Sequence, residues 1–220
     1  GLGDVYKRQL LKTSEELAAK KGEMSPRQAE AYRLLEMGDV DGACEILPLD
    51  ELFDDISYNE LLADNAIDRL ETNVDELATR ITALNMKGLN KDIVAEIRRI
   101  YEKIYDLCRN KHIGWSKLYD YAAFLYNQND YANAIEVAEN LRWYYSAPGR
   151  KVDEYDLGRL YNLLGLLYEA QNRSEEAEKY HLAAIEIYER LVKENAAAYE
   201  PDLAASYNSC LLYTSDAADD

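Results

Sequence analysis

The sequence predicts an all-α protein in which antiparallel helix pairs stack side by side. Apolar residues recur at spacings of three and four along much of the chain, which is the period of one helix face. The alternation of apolar and polar residues that marks a half-buried strand persists nowhere. Small residues also recur at matching places 43 positions apart, and a fixed period of this kind is typical of repeat architectures.

Both ends of the chain look foreign to the rest. Positions 4–9 read DVYKRQ and positions 210–220 read CLLYTSDAADD, and both strings resemble translated sequencing adapters. We therefore expect residues 1–9 and 210–220 to be artefactual or disordered termini that contribute nothing to the fold. On this interpretation the natural protein continues past both ends.

Residues 10–57 are predicted to form N-terminal helices that include a degenerate helix pair. Ser25 and Pro26 predict a helix start, because serine caps a helix and proline fits its first position. Ala31 and Ala43 are the small residues of this pair, and Gly38 lies in the turn between its helices.

Residues 58–111 are predicted to form a long helical hairpin. The apolar stripe of its first helix consists of Ile67, Leu70, Val74, Leu77, Ile81 and Leu84. Asn90 is a good N-cap for the second helix, whose stripe consists of Ile93, Ile97, Ile100, Ile104 and Leu107. Two stripes joined by a short break pack most simply as an antiparallel pair. A parallel coiled-coil dimer is the alternative, although the stripe is shorter than the roughly three to four heptads that indicate one.

Residues 112–209 carry the clearest repeats. Gly165 and Ala177 are small residues placed where two helices would cross, and Ala122 and Ala134 take the same places 43 positions earlier. This order of large and small residues resembles a tetratricopeptide repeat, in the longer variety found in kinesin light chains and many bacterial tandem arrays. The segment 198–208 resembles the start of a further, truncated repeat, with Pro201 at the start of a helix.

The resemblance implies a right-handed α-solenoid in which the first helix of each pair lines a concave wall. The residues it places on that wall as a peptide-binding groove are Tyr119, Tyr126, Arg159, Asn162, Leu166, Glu169 and Asn208, with Ser116 and Ala123 at the matching places beside the tyrosines. Members that bind a C-terminal carboxylate have several Lys and Arg residues in the groove, whereas here Arg159 stands alone.

Asparagine in the groove has a chemical use. Its amide carries both a donor and an acceptor, so Asn162 and Asn208 could bind the backbone of an extended peptide whatever its side chains. Tyr119 and Tyr126 would add contact area at small entropic cost. The alternative is structural, with Asn162 joined to a neighbouring helix by a hydrogen bond.

The motifs of catalysis and of cofactor or metal binding are absent from the sequence. It has no glycine-rich phosphate loop, no zinc-ligand or calcium-loop pattern and no nucleophile elbow. His112 and His181 are each expected to be structural. We therefore expect no cofactor and no enzymatic activity from these residues.

The net charge restricts the classes of partner, and the cysteine usage indicates the compartment. The formal net charge is −17, which disfavours binding to nucleic acid and to anionic membranes, since both need basic patches. Three widely spaced cysteines indicate a reducing compartment, and no run of about 18 apolar residues is present. We expect a cytoplasmic, bacterial protein whose partner is a protein or peptide.

Two functions fit these expectations. The first is a protein–protein interaction scaffold that binds its partner on the concave face of the repeat array. The second is a sensor or regulatory arm of a larger bacterial protein, whose effector domain, of the Toll/interleukin-receptor type for example, would lie outside these residues.

The repeat register predicts a packing defect. Replacement of Ala177 by Leu should lower the free energy of unfolding by roughly 1–3 kcal/mol, because a crossing built around a small side chain cannot accept a larger one. Thermal denaturation of the variant and the parent measures this, and equal melting temperatures would count against the register.

Overall fold

The computed structural model describes residues 24–61 and 67–216, and every regular element in these ranges is helical. In chain order the helices are α1 (Pro26–Glu36), α2 (Val40–Ile46), α3 (Leu49–Leu61), α4 (Ile67–Lys87), α5 (Lys91–Lys111), α6 (Leu118–Asn127), α7 (Tyr131–Tyr145), α8 (Glu154–Ala170), α9 (Ser174–Glu194) and α10 (Ala196–Asp216), with a 3-10 turn at Trp115–Lys117. The all-α prediction is confirmed. The chain divides into two compact units, the first ending at Gly114 and the second beginning at Trp115. The expectations for residues 1–9 and for helices before residue 24 lie outside the described residues.

The first unit is organised around α4. This helix contacts α1, α2, α3 and α5. The apolar stripe of α4 is buried from Leu70 to Leu84, and that of α5 is fully buried from Ile97 to Leu107, whereas Ile67 is exposed. Most of the two stripes is therefore buried. Asn90 caps α5, since its side-chain oxygen accepts hydrogen bonds from the backbone N–H groups of Asp92 and Ile93, both at 3.0 Å.

Arg80 connects three elements of the first unit. Its guanidinium donates to the carbonyl oxygen of Cys44 at 2.7 Å and to that of Leu47 at the C-terminal end of α2. It also forms an ion pair with Glu96 of α5, with 2.5 Å between Nη2 and Oε1. At the C-terminal end of α2 the carbonyl groups have few helical donors, and Arg80 supplies donors to two of them. The Cys44 oxygen also accepts the backbone N–H of Leu47 at 3.2 Å.

Small residues lie buried in the helix pairs of the second unit. Helices α6 and α7 contact each other, as do α8 and α9. Ala122, Ala134 and Ala177 are fully buried. A Cβ atom added to Gly165 would lie 2.5 Å from Cε1 of His181, one turn beyond Ala177 on α9. Any side chain at position 165 would therefore clash with the imidazole of His181 as it stands.

Three turns have the same backbone structure. Gly38, Asn129 and Asn172 each adopt a left-handed conformation, with φ of 80°, 59° and 54°. The following residue donates its N–H back to the helix, from Asp39 to Leu34, from Asp130 to Leu125 and from Arg173 to Tyr168, in each case at 2.9 Å. This is the Schellman arrangement of a helix C-terminus.

The turns recur in register with the buried alanines. Each left-handed residue lies five positions before a fully buried alanine, namely Ala43, Ala134 or Ala177. The spacing of 43 residues seen in the alanines therefore also holds for the turns of the second unit. The helical architecture is repeat-like at the level of backbone geometry as well as sequence.

Three boundaries differ from expectation. Pro201 lies inside α10 and does not begin it, because the side chain of Asn195 accepts a hydrogen bond from the N–H of Ala198 at 3.3 Å and starts the helix earlier. The boundary expected between residues 57 and 58 falls inside α3, and α10 continues to Asp216 through part of the segment expected to be disordered.

The turn at Asn172 predicts a backbone effect on stability. Asn172 is exposed, so its substitution removes few contacts. Asn172→Ala should lower the free energy of unfolding by about 1 kcal/mol, because a Cβ strains a left-handed residue and alanine has no side chain that bonds locally. Asn172→Gly is the matched control and should be at least as stable as the parent. Equal melting temperatures for the two variants would contradict this account.

Candidate functional site

Six of the predicted groove residues lie on two adjacent helices of the second unit. Tyr119 and Tyr126 are two turns apart on α6, and Arg159, Asn162, Leu166 and Glu169 follow one another on α8 at spacings of three, four and three. Residues at such spacings share one side of a helix. Helices α6 and α8 contact each other. We call the surface formed by these six residues the α6–α8 face.

Tyr119 and Arg159 meet at one end of the α6–α8 face. The Arg159 guanidinium carbon lies 4.0 Å from the centre of the Tyr119 ring and 5.8 Å from that of Tyr155. Both distances are within the range of a cation–π interaction. Only 16% of the Arg159 side chain is exposed. The arginine is therefore held between aromatic rings and does not extend into solvent.

Acidic groups surround this arginine. Burial alone would lower the pKa of Arg159, but Tyr119, Asp120 and other neighbours raise it overall. Burial raises the pKa of Tyr155 to about 12, and the carboxylate of Asp202 on α10 adds to the effect. Arg159 thus remains charged, and its charge is balanced by groups of the protein itself.

Asn162 lies one turn along α8 from Arg159. Its side chain is half-buried, and its Oδ1 atom is buried without a hydrogen-bond partner. The structural alternative requires a neighbouring helix to donate a hydrogen bond to this oxygen, and no described residue does so. A buried acceptor without a donor costs free energy and calls for an explanation.

The opposite end of the face carries Tyr126 and Glu169. Burial raises the pKa of Tyr126, and the charges of Tyr131 and Glu169 add to the effect. The Tyr126 ring contacts that of Tyr131, with 5.7 Å between centroids. Leu166, between Asn162 and Glu169, is half-buried. The face thus has Arg159 and Tyr119 at one end and Glu169 and Tyr126 at the other. The amide of Asn162 and the apolar side chain of Leu166 lie between these ends.

The remaining sequence-based candidates do not belong to the six residues of the α6–α8 face. Asn208 is exposed on α10, six positions after Asp202. Ser116 is exposed in the 3-10 turn before α6, and Ala123 is half-buried on α6.

Sequence reasoning missed the groups that hold Arg159 in place. Tyr155 lies one turn before Arg159 on α8, and this spacing could have indicated a contact between them. Asp202 comes from α10 and had no such local signal.

Sequence reasoning also missed a tyrosine–carboxylate network behind the face. Oε1 of Glu139 on α7 accepts hydrogen bonds from the hydroxyl groups of Tyr168 on α8, at 2.9 Å, and Tyr180 on α9, at 2.6 Å. The two rings are stacked, with 5.5 Å between centroids, and Arg142 donates to Oε2 at 2.6 Å. Burial by itself raises the pKa of Glu139, but these donors lower it overall. One carboxylate therefore ties a helix of one pair to both helices of the next.

His181 lies against Gly165 at the crossing of α8 and α9. It is 1% exposed, and neither ring nitrogen has a hydrogen-bond partner. Burial lowers its pKa. The nearest carboxylate oxygen is Oε2 of Glu169, at 3.8 Å from Nε2, beyond hydrogen-bonding distance. The imidazole is therefore held in its neutral form as a packing group.

Within the described ranges, no cluster of three or more histidine, cysteine, aspartate or glutamate side chains could hold a metal ion. No helix of that part of the chain is long and apolar enough to span a membrane.

Compared with known proteins, the chain matches no protein family, no curated protein and no solved structure.

The buried imidazole predicts a loss of stability in acid. Because its pKa is lowered in the folded state, the unfolded chain binds the proton more readily, and the free energy of unfolding falls as the pH drops below about 6.5. Melting temperatures at about pH 7.5 and about pH 5.5 measure this fall. His181→Leu should reduce the fall, because leucine does not titrate.

The control for this experiment is His112→Asn. His112 ends α5 in a left-handed conformation that asparagine tolerates, and it is exposed. This variant should keep the pH dependence of the parent. An identical fall in His181→Leu and in the parent would contradict the assignment.

Proposed function

We propose that this protein is an interaction scaffold that binds an extended segment of a partner protein on the α6–α8 face. We further infer that its helix pairs stack as a right-handed solenoid of the tetratricopeptide kind. On this proposal the protein contributes binding and not catalysis, since the six side chains of this face (two tyrosines, an arginine, an asparagine, a leucine and a glutamate) include no nucleophile in contact with a base.

The inference about the solenoid is supported by the recurring turns. The same hydrogen bonds, the same left-handed residue and the same buried alanine return after 43 residues within the second unit. The contact between α6 and α8 brings the first helices of successive pairs together. Repeats of this kind build a continuous wall from equivalent helices, which suits extended ligands.

The observation that carries the binding proposal is the unpartnered Oδ1 atom of Asn162. The atom is covered as the side chain stands, but the terminal torsion of asparagine is broad, so a rotation can turn the amide toward the face. There it can accept a hydrogen bond from a peptide N–H and donate one to a peptide carbonyl group. A ligand thereby satisfies a group that the protein alone leaves unsatisfied.

The position of Arg159 restricts the ligand. The guanidinium is engaged by Tyr119 and Tyr155 and lies near Asp156, with 3.9 Å between Nη1 and Oδ1. Binding of a C-terminal carboxylate would have to break these interactions. We therefore propose an internal peptide segment, recognised through its backbone, as the ligand.

Selection from a random-peptide display library tests the proposal. Peptides recovered on the full chain are synthesised, and their dissociation constants are measured by calorimetry. Asn162→Ala should weaken binding by about tenfold through the lost hydrogen bonds, without lowering the melting temperature. Amidation of the peptide C-terminus should leave the affinity unchanged.

Trp143→Ala is the matched control. Trp143 is 64% exposed on α7 and does not belong to the α6–α8 face. Its loss should leave peptide binding intact. The proposal fails if no peptide is recovered, or if the recovered peptides depend on Trp143 and not on Asn162.

A further inference from the structure

The first unit contains a polar cleft that is separate from the proposed peptide-binding face. Its volume is about 350 Å³, within the range of small-ligand sites. Residues from three helices line it: Arg27 of α1, Asp55 and Tyr58 of α3, and Arg69, Asn73 and Glu76 of α4.

The charges of this cleft are largely matched by one another. Nη2 of Arg27 donates to Oδ2 of Asp55 at 3.0 Å, and Nε of Arg27 lies 4.0 Å from Oε1 of Glu76. That Oε1 atom also accepts a hydrogen bond from the Ser25 hydroxyl at 2.6 Å. With Arg69, the lining carries two guanidinium groups and two carboxylates, so it favours neither a cation nor an anion.

Two atoms in the lining nevertheless lack hydrogen-bond partners. Oε2 of Glu76, whose side chain is 5% exposed, is a buried acceptor without a donor. Nη1 of Arg27 is a buried donor without an acceptor. Leaving either group unsatisfied costs free energy, and each cost is larger because the group is charged.

We propose that this cleft binds a primary carboxamide, the group at the end of an asparagine or glutamine side chain. Its carbonyl oxygen accepts from Nη1 of Arg27, and the N–H on the same side donates to Oε2 of Glu76. Both atoms are covered as the side chains stand, so binding requires the Arg27 side chain, which is 34% exposed, to change its terminal torsions and admit the amide between them.

The cleft has one unpartnered acceptor and one unpartnered donor, and this combination favours a primary carboxamide over a charged ligand. An ammonium group brings three donors to one free acceptor, and a carboxylate brings two acceptor oxygens to one free donor. A primary carboxamide presents one donor and one acceptor side by side and carries no net charge. A trans peptide bond does not fit in this way, because its N–H and C=O groups point in opposite directions.

Titration of the isotope-labelled full chain with four small probes tests the proposal by nuclear magnetic resonance. The probes are acetamide, N-methylacetamide, acetate and methylammonium. Acetamide should give saturable shifts of resonances from residues that line the cleft. N-methylacetamide, whose amide is trans, should bind at least about tenfold more weakly, because it cannot place a donor beside its carbonyl oxygen.

Two variants that each remove one negative charge provide the comparison. Glu76→Gln keeps an oxygen for the Ser25 hydroxyl but replaces the unpartnered acceptor by a donor, so it should abolish acetamide binding. Asp41→Asn, at an exposed partner of Lys87 in the same unit, should leave the binding unchanged. Should Glu76→Gln fail to fold, Arg27→Lys keeps the positive charge, loses Nη1 and should also abolish binding.

Several results would overturn the proposal. These are the absence of saturable acetamide shifts, equal affinity for N-methylacetamide, tighter binding of acetate or methylammonium, and full binding by Glu76→Gln or Arg27→Lys. The test does not depend on the α6–α8 face, so the two proposals stand or fall separately.

Discussion

The close approach of paired helices is the constraint on which the rest of this structure depends. At Gly165 the imidazole of His181 occupies the space that a Cβ atom would need, and Ala177 is fully buried one turn away. Leu164, beside Gly165 in the chain, is fully buried, as expected in a closely packed interior. The turn between the helices is then restricted as well, and a left-handed residue such as Asn172 reverses the chain within a few positions.

Tyrosine side chains fill much of the space around these helix crossings. The chain has 19 tyrosines and 2 phenylalanines, which is unusual for a core but suited to helices that are half-buried between neighbours. Tyr168 and Tyr180 show the reason, since their rings stack while their hydroxyl groups bond Glu139 on a neighbouring helix. The same chemistry places Tyr119 and Tyr155 around Arg159, which keeps that cation charged in a largely buried position.

Both candidate sites arise where polar groups are buried but incompletely satisfied. Most polar groups near the helix contacts find partners inside the protein, as Arg80 and Glu139 do. Asn162 on α8 and Glu76 on α4 each retain one oxygen without a donor. A protein keeps such groups at a cost in stability, and binding of a ligand that supplies the missing donor recovers part of that cost. The binding proposals for the two units share this physical basis, although they concern different ligands.

The sequence by itself determined the helical class, the hairpin stripes and the places of the small residues, because each depends on local periodicity. The six groove candidates came from the resemblance to a repeat family, and the structure places them on α6 and α8, at spacings that share a helix side. Only the tertiary structure decided which partners these side chains meet, as with Asp202 beside Tyr155, or Glu139 beneath two tyrosines. It also decided that α10 begins before Pro201, because the cap from Asn195 and the packing of Tyr199 on Tyr155 outweigh the preference of proline for a helix start. Apart from the local Asn195 cap, these contacts join residues that are distant along the chain, and no local pattern encodes them.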